Sequence, residues 1–79
     1  MTRYYFDLRD RDGFIIDDEG FELPDIEAVQ REAVLSLADQ GRGAAEKAIG
    51  SLTDLAIEVR DDAGPVMQVS FNLHLLRHN

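Results

Sequence analysis

From Arg3 the chain alternates, with Tyr4, Phe6 and Leu8 on one side and Arg3, Tyr5, Asp7 and Arg9 on the other. Alternation with period two marks a strand with one buried face. After Asp-Arg-Asp-Gly an extended run resumes at "FIID", "DDEG" bends the chain, and "FEL" alternates again with Phe21 and Leu23 inward. Pro24 disfavours helix at Leu23 and ends that run. The period then changes. Ile26, Val29, Ala33 and Leu37, with Val34 one step round, recur at helical spacing. Asp25 is placed to accept from the free amides of the first turn, and Glu27 adds negative charge at the positive end of the helix dipole. Gly41-Arg42-Gly43 interrupts, because glycine costs ~1 kcal/mol against alanine inside a helix. The pattern predicts one main helix from Asp25 to Gln40 and a kinked, separate or frayed continuation from Ala44 to Ile49. Two further strands follow. Leu55, Ile57 and Val59 point inward in the first, and Met67, Val69, Phe71, Leu73 and Leu75 share one face of the second.

The predicted fold is therefore α+β in the order β-β-α-β-β. A four-stranded, mainly antiparallel sheet carries one main helix on one face, with the first and third strands central and the second and fourth at the edges. About 16 helical residues span ~24 Å, enough to cover strands of seven or eight residues. The two hairpins resemble each other: "FDLRDRDGFII" lies over "IEVRDDAGPVM", aligning Arg9 with Arg60, Asp10 with Asp61 and Gly13 with Gly64. The common feature is turn chemistry. Asp10 and Asp61 start each bend by accepting from nearby amides, and Gly13 and Gly64 are expected to supply positive φ.

Length changes the picture only in energy. A chain of 79 residues makes one domain, 1–79, and buries only ~60% of its unfolded surface, so a partner would add useful burial. Absence of cysteine removes disulfides and thiolate-bound zinc and fits a reducing cytoplasm. The start has no apolar run long enough for a signal peptide or a membrane span, so a soluble cytoplasmic protein with no membrane partner is expected. The net charge of −8 is spread along the chain, and its basic residues mostly sit beside acids. Nucleic-acid binding draws affinity from clustered Lys and Arg, so this balance argues against DNA or RNA and leaves room for a basic protein partner.

Candidate chemistry reduces to a few stretches. "LRDRDGFIIDDE", Leu8 to Glu19, places Asp10, Asp12, Gly13 and Glu19 where a calcium loop has ligands or its sharp turn. Such a loop needs an oxygen at its first position and helices at its flanks, whereas Leu8 stands first and the flanks alternate as strands. Phe14 and Ile16 read as core. The stretch is a hairpin turn, and no metal is expected. His74 and His78 would lie ~13 Å apart on a strand, too far to share an ion. "GRGAAEK" lacks the residues of a phosphate loop, and Ser36, Ser51 and Ser70 lack a nucleophile's setting. No catalytic residue, cofactor or enzymatic activity is expected. Tyr5, Asp7, Arg9, Glu58 and Arg60 share the outer sheet face, where cross-strand ion pairs are the expected role.

The last strand holds the candidate association surface. With the turn at Asp61 to Gly64, Arg60 faces about Val66 and Leu55 about Phe71, so Asn72, Leu73, His74, Leu75 and Leu76 run past their partner strand. An edge with unpaired amides and exposed leucines is a template for another chain, including a second copy in a homodimer. The alternative is that Leu73 and Leu75 fold back on Ala44, Ala48 and Ile49 of the same molecule.

The blocks "RYYFDLRDRDG", "DDEGFELPDIEAVQREA" and "IEVRDDAGPVMQVSF" together resemble a short alphaproteobacterial domain family of unknown function. Its members open R-Y-Y-F-x-L-R-D-x-x-G, continue with D-x-E-G and D-x-E-A, and close with I-E-V-R-D-x-x-G. The likeness runs from Arg3 to Phe71 and implies the fold; it carries no activity, cofactor or site residue. The Gly41-Arg42-Gly43 break departs from the more continuous helix expected there. A second likeness, of topology and "LPDIEAV" only, is to the antitoxin partner of a bacterial RNA-cleaving toxin. The function expected is protein association, with itself and with another protein; the alternative is an antitoxin-like acidic inhibitor of a basic nuclease.

Overall fold

A computed structural model describes residues 1–10, 13–47, 53–73 and 78 of the chain. The elements are β1 (Thr2–Arg9), β2 (Phe14–Ile15), β3 (Phe21–Leu23), α1 (Ile26–Lys47), β4 (Thr53–Asp61) and β5 (Gly64–Leu73). All pairings are antiparallel, in the order β2-β1-β4-β5, with β3 also paired to β1. The α+β class, the single helix and the central place of the first and third predicted strands all hold.

The alternating strands supply one apolar face, and α1 closes it. Val29, Ala33 and Leu37, four residues apart on one line of the helix, meet Leu55, Ile57 and Val59 of β4. Val29 and Val59 are the largest fully buried side chains. Each contributes on the order of 1.5–3 kcal/mol by leaving water. Tyr4, Phe6, Leu8, Met67, Val69 and Phe71 pack half-buried around this line. The helix sits mainly over β4 and β5 and touches β3 more lightly. At its start Asp25 caps as expected: the Ala28 N–H donates to Asp25 Oδ1 at 2.8 Å, and the Val29 N–H to the Asp25 carbonyl at 3.2 Å.

Four expectations are corrected. The helix does not stop at Gln40; it runs unbroken through Gly41, Arg42 and Gly43 to Lys47. Gly41 is buried where a Cβ would lie 3.5 Å from the Phe71 ring, so packing onto β5 offsets the low helical propensity. The second predicted strand is split in two, because the chain leaves the β1 edge between Ile15 and Phe21. Ile26 and Val34 are about half exposed rather than inward, since a helix lying over β4 and β5 buries only its central line. Finally, Arg60 pairs with Pro65, one residue from the expected partner, because the β4–β5 ladder shifts register between Val59 and Arg60.

Both hairpin turns use the aspartate as expected. The Gly13 N–H donates to Asp10 Oδ1 at 2.8 Å, and the Gly64 N–H donates to Asp61 Oδ1 at 3.1 Å. The left-handed glycines among the described residues are Gly20 (φ 74°) and Gly64 (φ 130°). Gly20 was not among the expected turn glycines, and Gly13 closes its turn by hydrogen bonding, its carbonyl accepting from the Asp10 N–H at 3.0 Å.

Candidate functional site

On the sheet face away from the helix, β1 places Tyr5 and Asp7 beside Arg60 of β4, as the Tyr5–Arg60 and Asp7–Glu58 pairings require. Asp7 is the buried charged residue among those described, at 4% exposure. Burying a carboxylate is costly unless it is paired and hydrogen-bonded. Arg60 Nε donates to Asp7 Oδ2 at 2.9 Å and Arg60 Nη2 reaches Asp7 Oδ1 at 3.4 Å. The Asp17 N–H adds a donor to Asp7 Oδ1 at 2.9 Å. The guanidinium lies 4.5 Å over the Tyr5 ring and also donates to the Asp17 carbonyl at 3.0 Å. The hydrogen bonds that Arg60 donates to the Asp7 carboxylate raise its pKa. Beside this group Arg9 and Glu58 pair at 2.8 Å, so the outer face carries the cross-strand ion pairs expected of it.

Asp17 is the clasp of the loop between β2 and β3. Its Oδ2 accepts from the Phe6 N–H at 3.0 Å, and its Oδ1 accepts from the N–H groups of Glu19 and Gly20 at 3.0 and 3.2 Å. Burial pushes the Asp17 carboxyl up, but the three backbone donors and Arg60 outweigh it and hold it below the ordinary value. Arg3 donates from its guanidinium to the Glu19 carbonyl on the same loop. The carboxylate oxygens of Asp7 and Asp17 all accept from the protein's own N–H groups, so this cluster fastens a loop.

The loop so fastened and the two short strands that flank it present apolar surface. Phe14, Ile15, Ile16 and Phe21 are between 45% and 65% exposed. Phe14 lies under the Arg9 guanidinium at 5.1 Å, and Phe21 meets Phe6 edge to face at 5.7 Å. Phe14 and Ile16 are thus not core, contrary to the expectation from their place in an apolar run. Alternation sets Ile15 against Phe14 and Ile16, and the register with β1 puts Phe14 on the outer face opposite Arg9.

The expected association surface fares differently along its length. Asn72 pairs with Asp54 and Leu73 with Thr53, so neither overruns β4, which begins two residues earlier than expected. His74, Leu75 and Leu76 lie outside the described residues, as do Asp12, Ala48 and Ile49. Asp10, Gly13, Asp61 and Gly64 occupy the two hairpin turns assigned to them. Among the described residues no group of three His, Asp or Glu side chains is arranged to hold a metal ion. Nor, among them, is any helix long and apolar enough to cross a membrane.

The model of the family named Domain of unknown function (DUF6894) matches residues 3–72. The chain belongs to this family. The match takes in all the elements described above except the first residue of β1 and the last of β5, and so includes the Asp7–Asp17–Arg60 cluster and the exposed loop. No curated protein and no solved structure matches the chain.

Proposed function

We propose that the DUF6894 chain is a non-enzymatic, cytoplasmic protein-association module that pairs with itself and binds a basic protein. The observation that carries this reading is the band of exposed apolar residues along the β2–β3 edge, Phe14, Ile15, Ile16 and Phe21, which spans both faces: Phe14 lies opposite Arg9 on the outer face, and Ile15 and Phe21 lie opposite Leu8 and Tyr4 on the helix-side face. Exposed apolar side chains grouped at a sheet edge are a common seat for a protein partner. The charges around them select its sign. Asp18, Glu19 and Glu22 are exposed beside the band, and a second acidic copy would meet them with repulsion, whereas a basic partner would meet them with attraction. Wild-type protein and an Ile15→Lys/Ile16→Lys variant, each immobilised, should retain different proteins from the native cell extract. A basic partner held by the wild type and lost by the variant supports the reading; identical retention by the two sinks it.

The alternative, an acidic inhibitor of a basic nuclease, is favoured by the same three acids and by the net charge of −8. In that case the retained partner would cleave RNA, and adding the wild-type chain, but not an Asp18→Asn/Glu19→Gln/Glu22→Gln variant, would stop the cleavage. For the family itself we propose an alphaproteobacterial distribution and the shared opening R-Y-Y-F-x-L-R-D-x-x-G, as the resemblance implies.

A further inference from the structure

The solvent face of α1 has a charge order that the fold does not use. Along it stand Glu27, Arg31, Leu35, Asp39 and Arg42, all exposed, with Leu35 at 58%. Leu35 is turned away from the line of Val29, Ala33 and Leu37 that enters the core. Arg31 and Asp39 lie four residues to either side of it, and Glu27 and Arg42 lie beyond them. Among the described residues the ion pairs are Arg9–Glu58 and Arg60–Asp7, and none of these four helical charges takes part in either. Ala28 and Ala38 are the small residues between the charges. A shallow hollow opens on each side of Leu35, one reaching Arg31 and Val34, the other Ala38 and Asp39.

We propose that two copies of the chain pair through this face, antiparallel, about a twofold axis at Leu35. From N- to C-terminus the signs run minus, plus, minus, plus, and reversal of the partner helix sets plus, minus, plus, minus against them. Arg31 of each copy then faces Asp39 of the other, and Glu27 faces Arg42. A parallel pairing would set like charges together. The spacing of Ala28, Arg31, Leu35, Ala38 and Arg42 alternates three and four, the spacing that lets two helices pack side by side. The alanines let the backbones approach, and each Leu35 enters the space beside the other. Glu32, half-buried, also lines the second hollow beside Leu35 and Asp39 and adds a negative charge at that flank of the face. The contact is one helix wide and therefore small, which makes the dimer weak and concentration-dependent. Its charge pairs are exposed, which makes it sensitive to salt.

This inference rests on the self-association part of the proposed function and gives it an address separate from the Phe14–Phe21 edge. Sedimentation of the full chain over a wide concentration range tests it, with circular dichroism confirming that each variant is folded. Arg31→Asp and Asp39→Arg should each weaken the wild-type dimer by roughly tenfold or more, since each sets two like-charge contacts across the axis. Mixing the two variants should restore association as a one-to-one heterodimer, and so should combining both changes in one chain. Because the chain has no cysteine, Leu35→Cys should oxidise to a disulfide-linked dimer far faster than Glu22→Cys. A wild type that stays monomeric at every concentration overturns both the pairing and the self-association reading. A wild-type dimer indifferent to both charge swaps, with no preferential crosslinking at Leu35, overturns the helix pairing alone and leaves self-association to another surface.

Discussion

The carboxylate of Asp17 takes the backbone N–H of Phe6 at 3.0 Å, in the stretch of the β1 edge between the residues that pair with β3 and those that pair with β2. One side chain thus stands in for a missing stretch of backbone, and the same group also ties down Glu19 and Gly20.

Removal of that carboxylate should loosen the loop. Asp17→Ala leaves the N–H groups of Phe6, Glu19 and Gly20 without their acceptor and should cost about 1–3 kcal/mol, with the loop's partial exposure keeping it toward the lower end. Asp17→Asn keeps one acceptor oxygen and should cost less. Urea denaturation with unchanged slope measures both; an alanine variant as stable as the wild type would mean that the clasp contributes nothing.

Acid should act through the same group. The folded-state pKa of Asp17 lies below its ordinary 3.8, so the unfolded chain binds its proton more readily than the folded one. The stability it supplies is complete above that ordinary value and is lost as pH falls through the lower folded one. The melting temperatures of wild type and Asp17→Asn should therefore differ at neutral pH and converge in strong acid. A gap that widened with acidification would contradict the assignment.

Gly20 and Gly64 should respond unequally to alanine. At Gly20 the backbone has φ 74° and a Cβ would meet the Tyr4 carbonyl oxygen at 2.8 Å, so strain and collision add. At Gly64 the φ of 130° is unfavourable, yet a Cβ would enter open space. We expect Gly64→Ala to cost on the order of 1 kcal/mol and Gly20→Ala clearly more. Equal losses in thermal unfolding would mean that the loop simply shifts away from β1.

Gly41 should behave in the opposite sense. A Cβ there would make ordinary contact with the Phe71 ring at 3.5 Å, and the backbone is already helical. Gly41→Ala should therefore stabilise by up to about 1 kcal/mol through helix propensity and a less disordered unfolded chain. Gly41→Leu should destabilise by forcing the ring aside. Denaturation midpoints for the pair decide the point.

What could be read from the chain beforehand followed the range of the interactions involved. The positive φ expected at Gly13 is absent, but alternation in β1, β4 and β5, the Asp25 cap and the Asp10 and Asp61 turn bonds depend on neighbours a few residues apart, and all were legible. So was the Tyr5, Asp7, Arg9, Glu58 and Arg60 face, because strand alternation alone assigns those residues to it. The bend at DDEG that divides the second strand was legible too, but the contacts of Asp17 with Phe6 and Asp7 that hold it were not. The helix through Gly41 was not either, because its support comes from Phe71 on the last strand. Apolar residues at Phe14 and Ile16 were read as core because a sequence shows hydrophobicity without showing what covers it. Asn72 and Leu73 drop out of the expected association strip for a similar reason: β4 begins at Thr53, two residues before its alternation starts, and pairs with both.

The divided edge also governs what kind of ligand that side of the sheet can accept. β2 offers two residues and β3 three, with a side-chain clasp between them. An incoming strand would gain only a short ladder before running onto the clasp, so copy after copy cannot stack there into a fibre. With so little backbone to hold, a partner seated there under the proposed function would be discriminated by the side chains of Phe14, Ile15, Ile16 and Phe21, and its binding would be selective for sequence.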